Sequence, residues 1–246
     1  MRSLFLISPD RLAGITTLPQ ENATWSADCI VLDISEASVD AVADHLGIVL
    51  GILRQWQPAA KRPKLYARLP AIEEPRAISV LGSVISTGVD GVVLPRALSG
   101  HDLTRLDARI SVEEAVHGVM QGSIKIIAEA ADTARSAMAL SSFRGASHRL
   151  AGLIFSAERL AADMQGISPR TTDGNLRAPI AWARAQFLVA AASAGVAALF
   201  DNQTKSETRS AIAIYGEAYA DGFDGAVTTE AEDIAAINAA MSGARS

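Results

Sequence analysis

Asp33, Arg68, Arg96, Glu129, Arg159 and Asp201 have one thing in common. Each stands at, or just past, the end of a short apolar run: "CIVLDI", "KLYARLP", "GVVLP", "IKIIAEA", "LAGLIFSA" and "AALFD". Ser35 and Glu36 follow the first of these runs, and Ser156 and Glu158 stand at and just past the end of the fifth. Any one such charge is an ordinary solvated loop position. As a set drawn from separate runs they imply more. Arginines fork onto carboxylate or phosphate, and paired carboxylates hold a hard cation. The chemistry expected of such a group is recognition of a small polyanion.

Other chemistries find little support. His45, His101, His117 and His148 all lie away from the run ends, so neither a histidine base nor a histidine metal site is expected. Lys64 and Lys125 begin their runs, and Lys61 and Lys205 fall in loops, which disfavours a lysine Schiff base. "GSVISTG" lacks the Gly-Lys-Ser/Thr ending of a phosphate loop. No G-x-G-x-x-G follows a run, and no G-x-S-x-G occurs.

The elements that must position these residues alternate. To the six runs above are added "SLFLI" (3–7) and "FDGAVTT" (223–229). They are short and continuously apolar, as parallel strands covered on both faces are. Between them lie helical patterns: "ASVDAVADHLGIVLGILRQW", "PRAISVLGSVIST", "DTARSAMALSSF", "APIAWARAQFLVAAASA", "SETRSAIAIYGEAYADG" and "EAEDIAAINAAMSGA". Pro75, Asp132, Pro179 and Ser206 are the expected helix starts, and Gly88, Gly195 and Gly222 the stops. Strands alternating with helices over 246 residues predict an α/β protein, a (β/α)₈ TIM barrel forming a single domain over 1–246. A doubly wound sheet is the alternative. In a barrel the run ends share one face, the C-terminal one, where chemistry gathers. The irregular segment 166–179 is expected to cover a site.

Bulk properties narrow the partners. Hydrophobic residues make up 49% and charged residues 20%, enough for a sizeable core. A net charge of −5 argues against nucleic acid. "FLVAAASAGVAALF" (187–200) is shorter than the roughly 18 apolar residues of a membrane span and is split by Gly195. It reads as a helix end, a stop and a strand. No export signal is read in "MRSLFLI", whose apolar run is short. Cys29, the single cysteine, reads as a buried core residue, and such usage fits a reducing cytoplasm.

Taken in order, the segments resemble the HpcH/HpaI aldolase and citrate lyase beta-subunit family along nearly the whole chain. "RSLFLISPDRL" resembles R-S-x-L-F-x-P-G, and "ADCIVLDISEA" resembles A-D-x-x-I-L-D-L-E-D-A. "YARLP" stands at V-R-V-N, and "GVDGVVLPRALSG" at G-A-D-G-I-V-L-P-K, with Arg96 for lysine. "IIAEAADTARSAMAL" resembles I-E-T-A-x-G-x-x-N-A. "LIFSAERLAADMQG" resembles L-x-F-G-x-E-D-L-A-A-D-L-G, and "LRAPIAWARAQFLVAAASAGVAALFD" resembles the helix and strand ending in A-x-D. "YADGFDGAVTTEAEDIAAIN" stands where the family has G-F-D-G-K-x-x-I-H-P.

The resemblance implies a TIM barrel that makes or breaks carbon–carbon bonds beside a carbonyl. Small carboxylates or coenzyme A thioesters are the substrates, and Mg²⁺ the usual cofactor. It implies a homo-oligomer, trimer or higher, while the expected cytoplasmic setting and lack of a membrane partner rest on the cysteine usage and the short apolar run above. It places Arg68 on a substrate carboxylate, with Arg96, Ser156 and Asp201 as further substrate contacts. Asp33 and Glu36 become candidates for proton transfer, and Glu129 a metal ligand. The sequence departs from the family where the chemistry lies. The aspartate of E-D-L is Arg159, and G-K-x-x-I-H-P is reduced to "GAVTT". Arg159 is therefore expected to fork onto Glu129 and to weaken or abolish metal binding. The implied function is a carbon–carbon lyase with altered or lost metal dependence. The alternatives are a catalytically silent relative that binds an anionic ligand or a partner, and an ordinary metal-dependent lyase that recruits Glu158 or Asp163.

Overall fold

The structure, a computed structural model, describes residues 1–12, 26–54, 62–201 and 210–243. Eight parallel strands close on themselves in chain order: β1 Ser3–Ile7, β2 Cys29–Asp33, β3 Lys64–Arg68, β4 Gly91–Leu94, β5 Lys125–Glu129, β6 Leu150–Phe155, β7 Ala197–Asp201 and β8 Gly225–Thr228. Each coincides with an apolar run of the sequence. β8 returns to pair with β1, as in Leu4 opposite Val227, and the barrel has no free edge. Gly225 is needed at this seam. A Cβ there would come within 2.5 Å of the Met1 and Arg2 carbonyl oxygens.

Side chains on a strand alternate between its two faces, which separates two apolar layers. Leu4, Cys29, Val31, Tyr66, Val93, Ile127, Ile154, Leu199 and Val227 pack together inside the barrel. Their neighbours, among them Phe5, Ile30, Leu65, Val92, Ile126, Phe155 and Phe200, pack outward under the helices. The same alternation carried one step toward the C-terminal ends leads from Val31 to Asp33, Tyr66 to Arg68, Ile127 to Glu129 and Leu199 to Asp201. The strand period that builds the core thus aims four charged side chains into one cup.

The helices are α1 Pro9–Leu12, α2 Val39–Arg54, α3 Pro75–Ser86, α4 Gly100–Val116, α5 Ala134–Met138, α6 Ala157–Asp163, α7 Ala178–Ala194, α8 Ala211–Asp221 and α9 Asp233–Ala240. Pro75 and Pro179 sit in first turns as expected. Gly88, Gly195 and Gly222 follow helix ends with positive φ. "FLVAAASAGVAALF" is the end of α7, Gly195 and β7. No helix among the described residues is long and apolar enough to cross a membrane.

The structure adds one helix that the sequence patterns did not show and redraws the starts of others. α4 shows no simple apolar stripe in the sequence, yet it is a long helix. A capping box of Ser99 and Asp102 starts it, and Asp102 and Glu114 share its buried face with Leu103, Leu106 and Ile110. The segment 132–143 is not one helix but α5 followed by a 3₁₀ turn, Leu140–Phe143. Thr133, not Asp132, caps α5 by accepting from the Ser136 amide at 3.0 Å. Ser210 caps α8, while Ser206, Lys61 and Lys205 lie outside the described residues. Segment 166–179 contains a small hairpin bridge between Arg170 and Leu176.

Candidate active site

The cup is organised by two guanidinium groups. Arg68, at the end of β3, forks onto Glu129, at the end of β5. Nε donates to Oε1 at 2.7 Å and Nη2 to Oε2 at 3.0 Å. Its remaining nitrogen, Nη1, donates to Asp33 at longer range, 3.2 Å to Oδ2 and 3.4 Å to Oδ1, and to Ser35 Oγ at 3.4 Å.

Arg159 enters from the first turn of α6. Ser156 caps this helix, its Oγ accepting from the Arg159 amide at 3.4 Å. The short cap between strand and helix fixes where the arginine leaves the backbone. Its Nε donates to Asp132 Oδ2 at 2.8 Å and its Nη1 to Asp201 Oδ2 at 2.6 Å. Nη2 lies 3.8 Å from Glu129 Oε2. Glu129 therefore takes its fork from Arg68, and Arg159 bridges Asp132 and Asp201 instead. This corrects the expected Arg159–Glu129 fork. Arg68 shares the inner strand layer with Glu129, whereas Arg159 enters from the first turn of α6, where its Nε and Nη1 are taken by Asp132 and Asp201.

Burial sets the electrostatics. Glu129, Asp132 and Asp201 are only 3%, 4% and 1% exposed. Burial pushes all three carboxyls up. At Glu129 the positive charges of Arg159 and Arg68 outweigh it and hold the group below the ordinary glutamate value. At Asp132 burial, helped by the nearby Glu129 charge, outweighs Arg159, and the group is pushed up to about 7. At Asp201 the same balance gives about 6. Burial would lower both arginines, but the surrounding carboxylates raise them, so each stays charged.

A cavity of about 410 Å³ opens over the cup, lined by Leu6, Ser8, Arg11, Asp33, Arg68, Arg159 and Thr229. That is the size of a small-ligand site. Beneath it, a void of about 10 Å³ is lined by Arg68, Glu129 and Asp201 among apolar residues. No residue of 166–179 lines the larger cavity.

Of the residues expected from sequence, the structure brings together Asp33, Arg68, Glu129, Arg159 and Asp201. Ser156 joins them as a helix cap with its hydroxyl buried. Glu36 and Arg96 stay outside. The Glu36 side chain is 95% exposed and approaches Arg76 at 4.0 Å. It lies past the end of β2, where strand alternation no longer aims side chains inward. Arg96 is exposed on left-handed backbone, φ 50°, and does not line the cavity. Asp163 accepts from the Ala134 amide at 2.9 Å and so anchors α5.

Two participants escaped the sequence reading. Asp132 follows Ala131, whose left-handed backbone (φ 61°) turns the chain just after β5. The signal available was a second acid three residues past Glu129, read as a helix cap. Arg11 comes from α1, too short to show a pattern, and ties it to the eighth strand's loop by donating to the Thr229 carbonyl at 2.7 Å.

The arrangement can bind an anion and can place positive charge beside a developing oxyanion. It does not fit a hard cation. Both Glu129 oxygens are taken by Arg68, and Arg159 lies among Glu129, Asp132 and Asp201. Among the described residues no group of three or more acid, histidine or cysteine side chains is arranged to hold a metal ion.

Residues 16–231 match the HpcH/HpaI aldolase/citrate lyase family. No curated protein matches the chain. Among solved structures, RipC from Yersinia pestis superposes with a TM-score of 0.70 at 22% identity, covering 99% of this chain and 96% of that one. The citrate lyase beta subunit complexed with oxaloacetate and magnesium from M. tuberculosis gives 0.69 at 21% identity, over 98% and 96%. Protein CitE from Mycobacterium tuberculosis in complex with magnesium, acetoacetate and coenzyme A gives 0.70 at 22% identity, over 99% and 81%. At these identities the likeness is one of fold.

Proposed function

Because the chain belongs to the HpcH/HpaI aldolase/citrate lyase family, we propose that it makes or breaks a carbon–carbon bond beside a carbonyl. The substrate is a small carboxylate or an acyl-coenzyme A thioester, and no divalent cation takes part. The observation that carries this reading is the pair of guanidinium groups, Arg68 and Arg159, at the floor of the 410 Å³ cavity. Oxaloacetate, acetoacetate and coenzyme A are ligands of the M. tuberculosis proteins of the same fold. They are the compounds to try first.

Arg68 receives the substrate carboxylate. Its bonds to Glu129 are short and its contacts to Asp33 long, so Nη1 is the nitrogen that changes partner. Glu129 then acts as the anchor that keeps the fork in place. Asp33, released from Nη1, lines the cavity and is the proton acceptor of this reading. Breaking the bond leaves an enolate oxygen. Arg159 supplies positive charge to it, in a position fixed by Asp132 and Asp201. The expected setting is cytoplasmic, and a homo-oligomer of three or more chains is what the family resemblance implies.

A second reading has its own observation. Both guanidiniums already have carboxylate partners, as in a closed structural network. On this reading the barrel binds an anionic ligand or a partner and turns nothing over. Arg68→Ala separates the two. With oxaloacetate and acyl thioesters as probes, an enzyme loses turnover by about 10²-fold or more while the protein stays folded. A binding subunit shows no turnover to lose, and only its ligand affinity falls.

A further inference from the structure

Each nitrogen of the Arg159 guanidinium faces a different acid. Nε meets Asp132 at 2.8 Å, Nη1 meets Asp201 at 2.6 Å, and Nη2 stands 3.8 Å from Glu129. The acids come from separate places in the fold: the end of β5, the turn after it, and the end of β7. Anions converging from several elements on one centre are how a protein holds a cation.

Two observations separate this from an ordinary ion pair. Asp132 and Asp201 are more than nine-tenths buried, yet Oδ1 of each finds no hydrogen-bond partner among the described residues, and neither does Arg159 Nη2. Buried carboxylate oxygens normally have one. The acids therefore have binding capacity that the guanidinium does not use. Beside them, the 10 Å³ void lined by Arg68, Glu129 and Asp201 has about the room of one water molecule.

We infer that Arg159 is a resident cation that closes a divalent-cation site latent in Glu129, Asp132 and Asp201. The inference rests on the reading above and deepens it, because it names the group that carries the positive charge on the floor of the site. With Arg159 present, an incoming ion would meet a like charge and would have to displace two short bonds. Without it, Asp132 and Asp201 would be buried with no counter-charge of their own, beside a Glu129 that Arg68 still holds, a state that recruits protons or a cation. An all-oxygen donor set favours a hard ion such as Mg²⁺ or Mn²⁺.

The test is a calorimetric titration of MgCl₂, without substrate, into the full-length protein and into Arg159→Ala and Arg159→Gln. Electron paramagnetic resonance with Mn²⁺ is the parallel readout. Glutamine keeps donors for the acids and serves if the alanine variant does not fold. The wild type is expected to show no specific site. The variants are expected to gain one, on the order of a hundredfold or more tighter than any wild-type binding, because a positive charge within about 4 Å of the ion is gone. Their unfolding temperatures should then rise with Mg²⁺. Folding of the alanine variant only when Mg²⁺ is present also supports the inference. One Mg²⁺ bound by the wild type overturns it, and so does a folded variant that binds none. Wild-type binding would leave the lyase reading standing as an ordinary metal-dependent reaction, whereas that reading itself is decided by Arg68→Ala.

Discussion

Arg68 holds Glu129 with two nitrogens and Asp33 with the third. Only a planar guanidinium can do all of this at once, because an ammonium is a point charge without a fork. Arg68→Lys is therefore expected to behave almost like Arg68→Ala. We expect kcat/KM to fall by about 10² in the lysine variant, and a near-normal value in steady-state assays would show that charge alone is needed there. The residues of this network were unequally legible in the sequence. Asp33, Arg68, Glu129 and Asp201 each stand two positions past an inward core residue at a strand end, so the strand period pointed to them. Asp132 lay beyond that period. Its direction depends on the left-handed turn at Ala131, which no alanine advertises. Glu36 misled for the converse reason, since it too lies past its strand and turns to solvent.

The elements that carry the site are held from the other end of the barrel. Arg149, just before β6, is fully buried between α4 and the strand. It donates to Asp107 at 2.6 Å, to both Glu114 oxygens at 2.7 Å, to Ser111 at 3.0 Å and to the Ile124 carbonyl at 3.2 Å. Glu114 also accepts from the Gly122 and Ile124 amides. This network sits at the N-terminal ends of the strands, the face of a barrel that serves stability. Arg149→Met should destabilise the protein by about 3–5 kcal/mol, because it leaves Glu114 buried without its counter-charge. Arg149→Met combined with Glu114→Leu should recover much of that loss. Urea denaturation of both variants checks this, and equal losses in the two would refute the charge explanation. The same network explains why α4 was hard to see in the sequence. Part of its buried face is Asp102 and Glu114, so the apolar spacing that revealed α3 is diluted; Asp102 is satisfied by the helix's own capping amides, and Arg149, which makes Glu114 tolerable, is more than thirty residues away. The strands, apolar on both faces, carried no such disguise.

At the scale of the whole molecule, the acids whose proton affinity the fold shifts fall into two opposed groups. In Asp28, Asp107, Glu114 and Glu129, burial pushes the carboxyl up, but bonds to Arg2, Arg149, Arg68 and the charge of Arg159 outweigh it. Their folded values lie below the unfolded ones. They add stability above the unfolded carboxylate range near 4, and lose it as pH falls through the folded values. Asp132 and Asp201 run the other way, with folded values of about 7 and about 6. Between about pH 4 and pH 7 the folded chain therefore binds more protons than the unfolded one, and stability falls as pH rises. Each group contributes on the order of 1.4 kcal/mol per pH unit inside its window. Stability should thus peak between about pH 4 and pH 5, and be higher at pH 5 than at pH 8. Denaturation curves at these two values test this, and a flat or rising profile would show that the cup does not retain protons. Asp132→Asn removes one of the titrating groups and should shrink the difference between the two pH values. Such a profile would place a proton store directly beneath the cavity, at Asp132 and Asp201.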